Sequence, residues 1–403
     1  MTVTWSETQP AGNADKAWGC CNMSSDGSKM LAGVNGGRLY LYSGGSWSET
    51  QPAGDTNKNW RCCNMSSDGS KMLAGVYGGR LYLYSGGSWS ETQPAGNADK
   101  AWWPSALSSD GSKMLAGVYG GRLYLYSGGS WSETQPAGNA DKAWGPSALS
   151  SDGSKMLAGV YGGRLYLYSG GSWSETQPAG NANKNWYATA MSSDGSKMLA
   201  GVSGGRLYLY SGGSWSETQP VGNADKYWYA TAMSSDGSKM LAGVYGGRLY
   251  LYSGGSWSET QPAGDTNKNW RCCNMSSDGS KMLAVVSGGR LYLYSGGSWS
   301  ETQPAGNANK AWRCCNMSSD GSKMLAGVSG GRLYLYSGGS WSETQPAGNA
   351  NKAWGCCNMS SDGSKMLAGA DGGRLYLGYP LDGTLRWTEL TGGMQMLSGG
   401  MRG

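Results

Sequence analysis

The string Trp-Ser-Glu-Thr-Gln-Pro begins at Trp5, Trp47, Trp89, Trp131, Trp173, Trp215, Trp257, Trp299 and Trp341, in steps of 42 residues without insertion or deletion. A fixed period of this length decides the architecture first, because each copy is one supersecondary unit that buries its faces against its neighbours. An altered tenth copy begins at Trp387. The chain reads as one domain over residues 1–391, made of nine near-identical units, followed by a Gly- and Met-rich tail over residues 392–403.

Punctuation cuts each unit into four segments. In the first copy these are 17–24, 29–34, 38–43 and 47–51, separated by Ser-Ser-Asp-Gly, Asn-Gly-Gly and Ser-Gly-Gly. Short, aromatic-rich runs between Asp-Gly and Gly-Gly pairs are strands joined by tight hairpins. A helix of ordinary length has no room. Four antiparallel strands per repeat make the blade of a β-propeller. In the third segment Leu39 and Leu41 face one side while Tyr40 and Tyr42 face the other. Large residues on both sides suit a blade covered on both faces. The expected fold is all-β: a nine-bladed β-propeller of four-stranded antiparallel blades, with a solenoid as runner-up. The N-terminal Thr2–Gln9 keeps the repeat sequence and is expected to close the ring, in preference to Arg386–Leu390.

Composition narrows the function. Glycine supplies 70 of 403 residues, yet 38% of the chain is hydrophobic, with 20 Trp and 25 Tyr, so a large core is available and disorder is excluded. His is absent, which removes mechanisms that need imidazole. The net charge of +5 does not call for nucleic acid, which is disfavoured as a partner. No apolar stretch reaches the roughly 20 residues of a membrane span, and the start, Met1–Trp5, lacks signal-peptide features. A soluble, cytoplasmic monomer without a membrane partner is expected.

The run Ser66-Ser-Asp-Gly-Ser-Lys-Met-Leu-Ala-Gly-Val-Tyr-Gly-Gly-Arg-Leu-Tyr-Leu-Tyr-Ser-Gly-Gly-Ser-Trp89 resembles the Asp-box, or bacterial-neuraminidase, propeller repeats of sialidase-like and many non-enzymatic propellers. The resemblance spans essentially the whole chain. The family's box is Ser-x-Asp-x-Gly-x-Thr-Trp, whereas Tyr42-Ser-Gly-Gly-Ser-Trp47 lacks the Asp. It therefore implies a degenerate, non-enzymatic member. The residues agree, since the only Glu outside the repeats is Glu389 and the Glu7-type residues fall on the outermost strand. No carboxylate pair for glycoside cleavage is available, nor a serine elbow or phosphate loop. No catalytic residue and no cofactor are expected.

The copies differ mainly before the first-strand Trp, in the four residues after it, and after Gly-Val in the second turn. In an up-and-down blade these columns share one face, at the mouth of the central channel. Variable loops on a constant scaffold suit binding, with drift at exposed positions as the bland alternative. The candidate ligand-binding residues are Trp103, Tyr77, Tyr119, Tyr161, Tyr187, Tyr227, Tyr229, Tyr245, Arg61, Arg271 and Arg313. Lys16, Arg38 and their equivalents outnumber Asp15, Asp55, Asp99, Asp141, Asp225, Asp265 and Asp371 there. A basic, aromatic face suggests a lectin-like binder of a glycan or other acidic ligand lying across the channel mouth, provided the arginines are not paired locally. The alternative is a protein–protein interaction scaffold or structural ring. A sialidase-like hydrolase ranks below both.

The cysteines form adjacent pairs: Cys20-Cys21, Cys62-Cys63, Cys272-Cys273, Cys314-Cys315 and Cys356-Cys357. These belong to copies 7, 8, 9, 1 and 2, one continuous arc in a closed ring. Neighbours on a strand point to opposite sides, which disfavours a bond within a pair. Other copies carry Pro-Ser or Ala-Thr, and no Cys-x-x-Cys spacing exists for a metal. All ten are expected to be reduced, small buried residues, with no metal site.

Overall fold

Short apolar segments cut by glycine turns leave this chain hairpins as its only building unit. The structure, a computed structural model, describes residues 3–7, 16–50, 58–92, 100–134, 142–176, 184–218, 226–260, 268–302, 310–344, 352–371 and 373–380. The side chains at 3–7, 19, 61, 62, 103–105, 146, 271, 272 and 380 are not among those described. The described residues are all β, with no helix long and apolar enough to cross a membrane.

In the first blade, strands A to D are Trp18–Met23, Met30–Gly37, Leu39–Ser43 and Ser46–Glu49. They pair in sequence order, antiparallel, with Cys21 opposite Ala32, Leu31 opposite Leu41 and Tyr42 opposite Trp47. Two turn chemistries fix this register. At the A–B turn the Asp26 carboxylate accepts from the Ser28 N–H at 2.9 Å and the Ser24 hydroxyl at 2.7 Å, while Gly27 sits at φ 63°. At the C–D turn Gly44 and Gly45 both have positive φ, as a type I′ hairpin requires.

Eight blades repeat this plan, and the ninth is completed from the other end of the chain. Its strands Ala353–Met359, Met366–Asp371 and Leu375–Pro380 are joined by Val3–Glu7, with Trp5 opposite Gly378. The N-terminal segment thus closes the ring as expected; Arg386–Leu390 and the tail at 392–403 lie outside the described residues. Each strand A touches the strands A of both neighbouring blades, which only the innermost strand of a radial array does.

The core lies between blades. Leu31, Leu39 and Leu41 of the first blade pack on Trp60, Met72, Ala74, Val76 and Tyr82 of the second, and the same division of faces recurs around the ring. Hydrogen bonds tie the interfaces at both ends of the blades. On the face of the A–B turns, Ser25 N–H donates to the Ser67 carbonyl at 2.7 Å, and the series runs through every blade until Ser361 donates to Ser25 at 2.8 Å. On the opposite face the Gly closing each B–C turn bridges the Lys that opens the next blade, as with Gly37 and Lys58, and Gly373 with Lys16 across the seam. The Trp60 indole N–H donates to the Gly37 carbonyl at 3.1 Å, and Trp18 to Gly373 at 3.1 Å.

Candidate functional site

The variable columns converge on the face of the B–C turns. A device hidden in the sequence helps present them: in every blade the A–B register slips just after the strand A Trp, between Trp18 and Cys20 or the equivalent pair in seven blades, and between Trp102 and Ser105 and between Trp144 and Ser147 in blades 3 and 4. The residue after that Trp, one of the two most variable in the repeat, is therefore a β-bulge residue, freed from the ladder and re-aimed. Only a comparison of register, not of sequence, reveals it.

Four tyrosines from three successive blades touch in series. Tyr161, in the B–C turn of blade 4, meets Tyr187 at the bulge of blade 5 edge-on at 6.3 Å. Tyr187 lies 5.0 Å from Tyr229, the bulge residue of blade 6, at 32°. Tyr229 in turn lies 5.9 Å from Tyr245 in the B–C turn of that blade. These separations fall in the favourable range for aromatic pairs. Tyr119 extends the row, since burial first, and then the Tyr119 and Tyr229 phenols, push the Tyr161 hydroxyl above its ordinary pKa. Outer members are open to solvent: Tyr119 is 57% exposed, Tyr245 51% and Tyr227 59%. Tyr227 leans toward Gly204 of the preceding blade, where a β-carbon would meet its ring at 3.8 Å. Tyr77 is also exposed, on blade 2.

Gly145 makes room for this row and escaped notice in the sequence. A β-carbon there would stand 2.9 Å from the Tyr161 ring, so the glycine lets that ring lie over the bulge of its own blade. The signal was present, because copy 4 pairs Gly145 with Tyr161 while copy 3 carries Trp103.

The basic reading of this face needs correction. Arg38, Arg80, Arg122, Arg164, Arg206, Arg248, Arg290 and Arg332 each form an ion pair with the Glu eleven residues on, Glu49 through Glu343. The C–D register places Glu49 opposite Tyr40, two residues from Arg38, so the strand D carboxylates rise to the same end of the blade and neutralise the ring of arginines. Arg313 is exposed at the bulge of blade 8. The side chains of Arg61, Arg271 and Trp103 lie outside the described residues, as do Asp15, Asp55, Asp99, Asp141, Asp225 and Asp265.

The expectation of ten free thiols also fails. Cys20 and Cys63, on adjacent blades, are joined with their Cα atoms 5.9 Å apart, and Cys315 is disulfide-bonded as well. Neighbours on one strand do point apart, but the alternation that separates them aims each at the adjoining blade. Among the described residues no group of three or more His, Cys, Asp or Glu is placed to hold a metal. A cleft of about 140 Å³ beside Lys268, Asn269 and Arg290 is smaller than the several hundred Å³ of an ordinary small-molecule site.

Among solved structures, the chain resembles a computationally designed protein, Ika8, at 11% identity with a TM-score of 0.59, covering 80% of this chain and 96% of that one. It also resembles the C-terminal WD40 domain of Sif2, at 12% identity and TM-score 0.58, covering 94% and 99%. Sqt1 from Chaetomium thermophilum matches at 10% identity and TM-score 0.60, covering 93% and 99%. No protein-family model and no curated protein matches the chain. At such identities the likeness establishes the β-propeller fold.

Proposed function

We propose that this chain is a non-enzymatic protein-interaction scaffold whose docking surface is the tyrosine sector of blades 4 to 6. The observation that carries this reading is the continuous row Tyr161–Tyr187–Tyr229–Tyr245, flanked by exposed Tyr119 and Tyr227. Tyrosine is enriched among the residues that dominate protein interfaces, and a contiguous exposed aromatic patch marks such a surface. The chain's fold likeness to a WD40 domain agrees with that assignment.

A glycan or acidic ligand fits less well. The central rings, Tyr187 and Tyr229, pack on each other, so their facing sides are taken up by one another. The arginines just ahead of strand C, such as Arg38 and Arg206, are engaged by Glu and add little positive charge to this face. The repeat itself we read as a reduced Asp-box: Trp47 packs on Tyr42 at 5.6 Å across the turn Ser43-Gly44-Gly45-Ser46, which has no carboxylate.

The test is a triple variant, Tyr187→Gly, Tyr229→Gly and Tyr245→Ser, using residues that other copies carry at the same places. Parent and variant are compared for crosslinked protein partners and on a glycan array. A stoichiometric protein captured by the parent, with binding weakened tenfold or more in the folded variant, supports the reading. Equal capture by both, or glycan binding lost in the variant with no protein partner, overturns it.

A further inference from the structure

The cysteine arc has an internal offset that turns five adjacent pairs into a series of contacts between blades. In each described case the sulfur of the first cysteine is seated in the blade–blade interface. Cys20 Sγ lies where it would crowd a β-carbon on Gly33, beside the Trp60 β-carbon of the next blade and 3.5 Å from that position to Cys63 Sγ. Cys314 Sγ stands likewise over Gly327 with the Trp354 β-carbon of blade 9, and Cys356 Sγ over Gly369 with the Trp18 β-carbon of blade 1. The partner awaiting each is the second cysteine of that next blade. Cys20 is bonded to Cys63 at a sequence separation of 43. Cys314 and Cys357 hydrogen-bond each other and pack on one core cluster. Cys356 and Cys21 hydrogen-bond across the seam between blades 9 and 1, where Cys21 packs among Leu367, Leu375 and Leu377.

We propose that the arc is an oxidative modification site: a row of inter-blade disulfide staples, Cys20–Cys63, Cys21–Cys356 and Cys314–Cys357, to which the same sequence offset adds Cys272–Cys315. Cys315 is already in a disulfide. Two cysteines are left over, one at each end of the arc. Cys273 faces blade 6, which offers Leu241, Leu249 and Leu251 but no thiol, and its own thiol is pushed up to about 12 by burial. Cys62 has no partner at the same sequence offset, because blade 3 carries no cysteine. The staple with the largest consequence is Cys21–Cys356. It links the first blade to the last, and so converts a ring closed by hydrogen bonds, among them those between Val3–Glu7 and Leu375–Pro380, into a covalently closed one.

Each staple forms by thiol–disulfide exchange with a small-molecule disulfide. One protein thiolate attacks it and releases one small thiol. The partner thiolate then displaces the second, so two protein thiols lose two electrons and two protons while the disulfide is reduced to two thiols. The hydrogen bonds to Cys356 and Cys314, and then burial, hold the Cys21 and Cys357 thiols well above their ordinary pKa, so exchange in the folded ring is slow at neutral pH.

For this reason the test refolds the full chain from denaturant in mixed reduced and oxidised glutathione, then alkylates under denaturing conditions and maps the linked peptides by mass spectrometry. Two alkylated thiols per chain, Cys62 and Cys273, with the four cross-blade links, are expected. A variant with Cys21→Thr and Cys356→Ala, the residues of copies 5 and 6, should lose only the seam link. Its thermal midpoint should respond less to a reductant than the parent's does. Ten free thiols in refolded protein, links within adjacent pairs, or links between chains would overturn the assignment.

Discussion

The carboxylate of each A–B turn shows how one side chain holds a repeat in shape. The Asp194 pKa is lowered to about 2, chiefly because the Ser196 backbone N–H donates to it, then because of the Ser192 and Ser196 hydroxyls; Asp152 and Asp236 behave alike. A carboxyl whose folded pKa is depressed contributes stability that is present above its unfolded value and lost as pH falls through the folded one. The window here runs from near pH 4 down to about 2. Asp194→Asn should lower stability at pH 7 by under about 1 kcal/mol, since the group is exposed and screened. The deficit should shrink toward zero by about pH 2; acid titration of the unfolding midpoint checks this, and a constant deficit would dismiss the charge as its cause. At this scale the sequence was readable where a residue acts on its near neighbours. The Ser-x-Asp-Gly turn is such a case, and so is the alternation of Leu and Tyr. It was opaque where the partner lies across a hairpin or a blade. The Arg206–Glu217 pair depends on the C–D register. The Cys20–Cys63 link depends on which way a bulged strand turns its side chains, and neither is printed in local spacing.

Strands inherit unequal importance from their distance to the axis. Strand A brings a fully buried Trp to each interface, Trp144 at 1% exposure for instance, with its indole N–H on the Gly121 carbonyl at 3.0 Å. Strand D faces outward and carries the Arg–Glu pairs, whose side chains keep 45% and 44% of their surface at Arg206 and Glu217. Trp144→Ala should therefore cost about 3–5 kcal/mol through the cavity and the lost packing. Glu217→Gln should cost at most about 1 kcal/mol. Denaturant unfolding of the two variants measures the contrast, and comparable losses would show that the outer strand bears more of the structure than its exposure implies. The strand assignments follow from the sequence because turn residues flank every segment. The bulge does not, because nothing in Trp-Tyr-Ala-Thr or Trp-Arg-Cys-Cys distinguishes a slipped register from a regular one.

A repeat array that stopped at blade 9 would end in an open edge. Three strands of that blade, through Leu375–Pro380, are supplied locally, and their fourth comes from Val3–Glu7 at the far end of the chain. The seam carries further ties: Trp18 to Gly373, Lys16 with Gly373, and the Tyr42 and Tyr379 hydroxyls 3.3 Å apart. None of these can form unless the two ends of the chain meet, so the last blade is the interface with the greatest loop-closure cost and the least local support. Removing residues 1–9 leaves the backbone of Leu375–Pro380 unpaired along one side, a template for another chain. The truncated protein is expected to lose thermal stability and to self-associate at micromolar concentration, seen by calorimetry and sedimentation. A synthetic peptide of residues 1–10 added in excess should restore both in a concentration-dependent way, because it binds the folded ring and not the unfolded chain. A truncated protein that stays monomeric with the parent's melting temperature would mean that the other ties across the seam suffice and that the borrowed strand closes nothing.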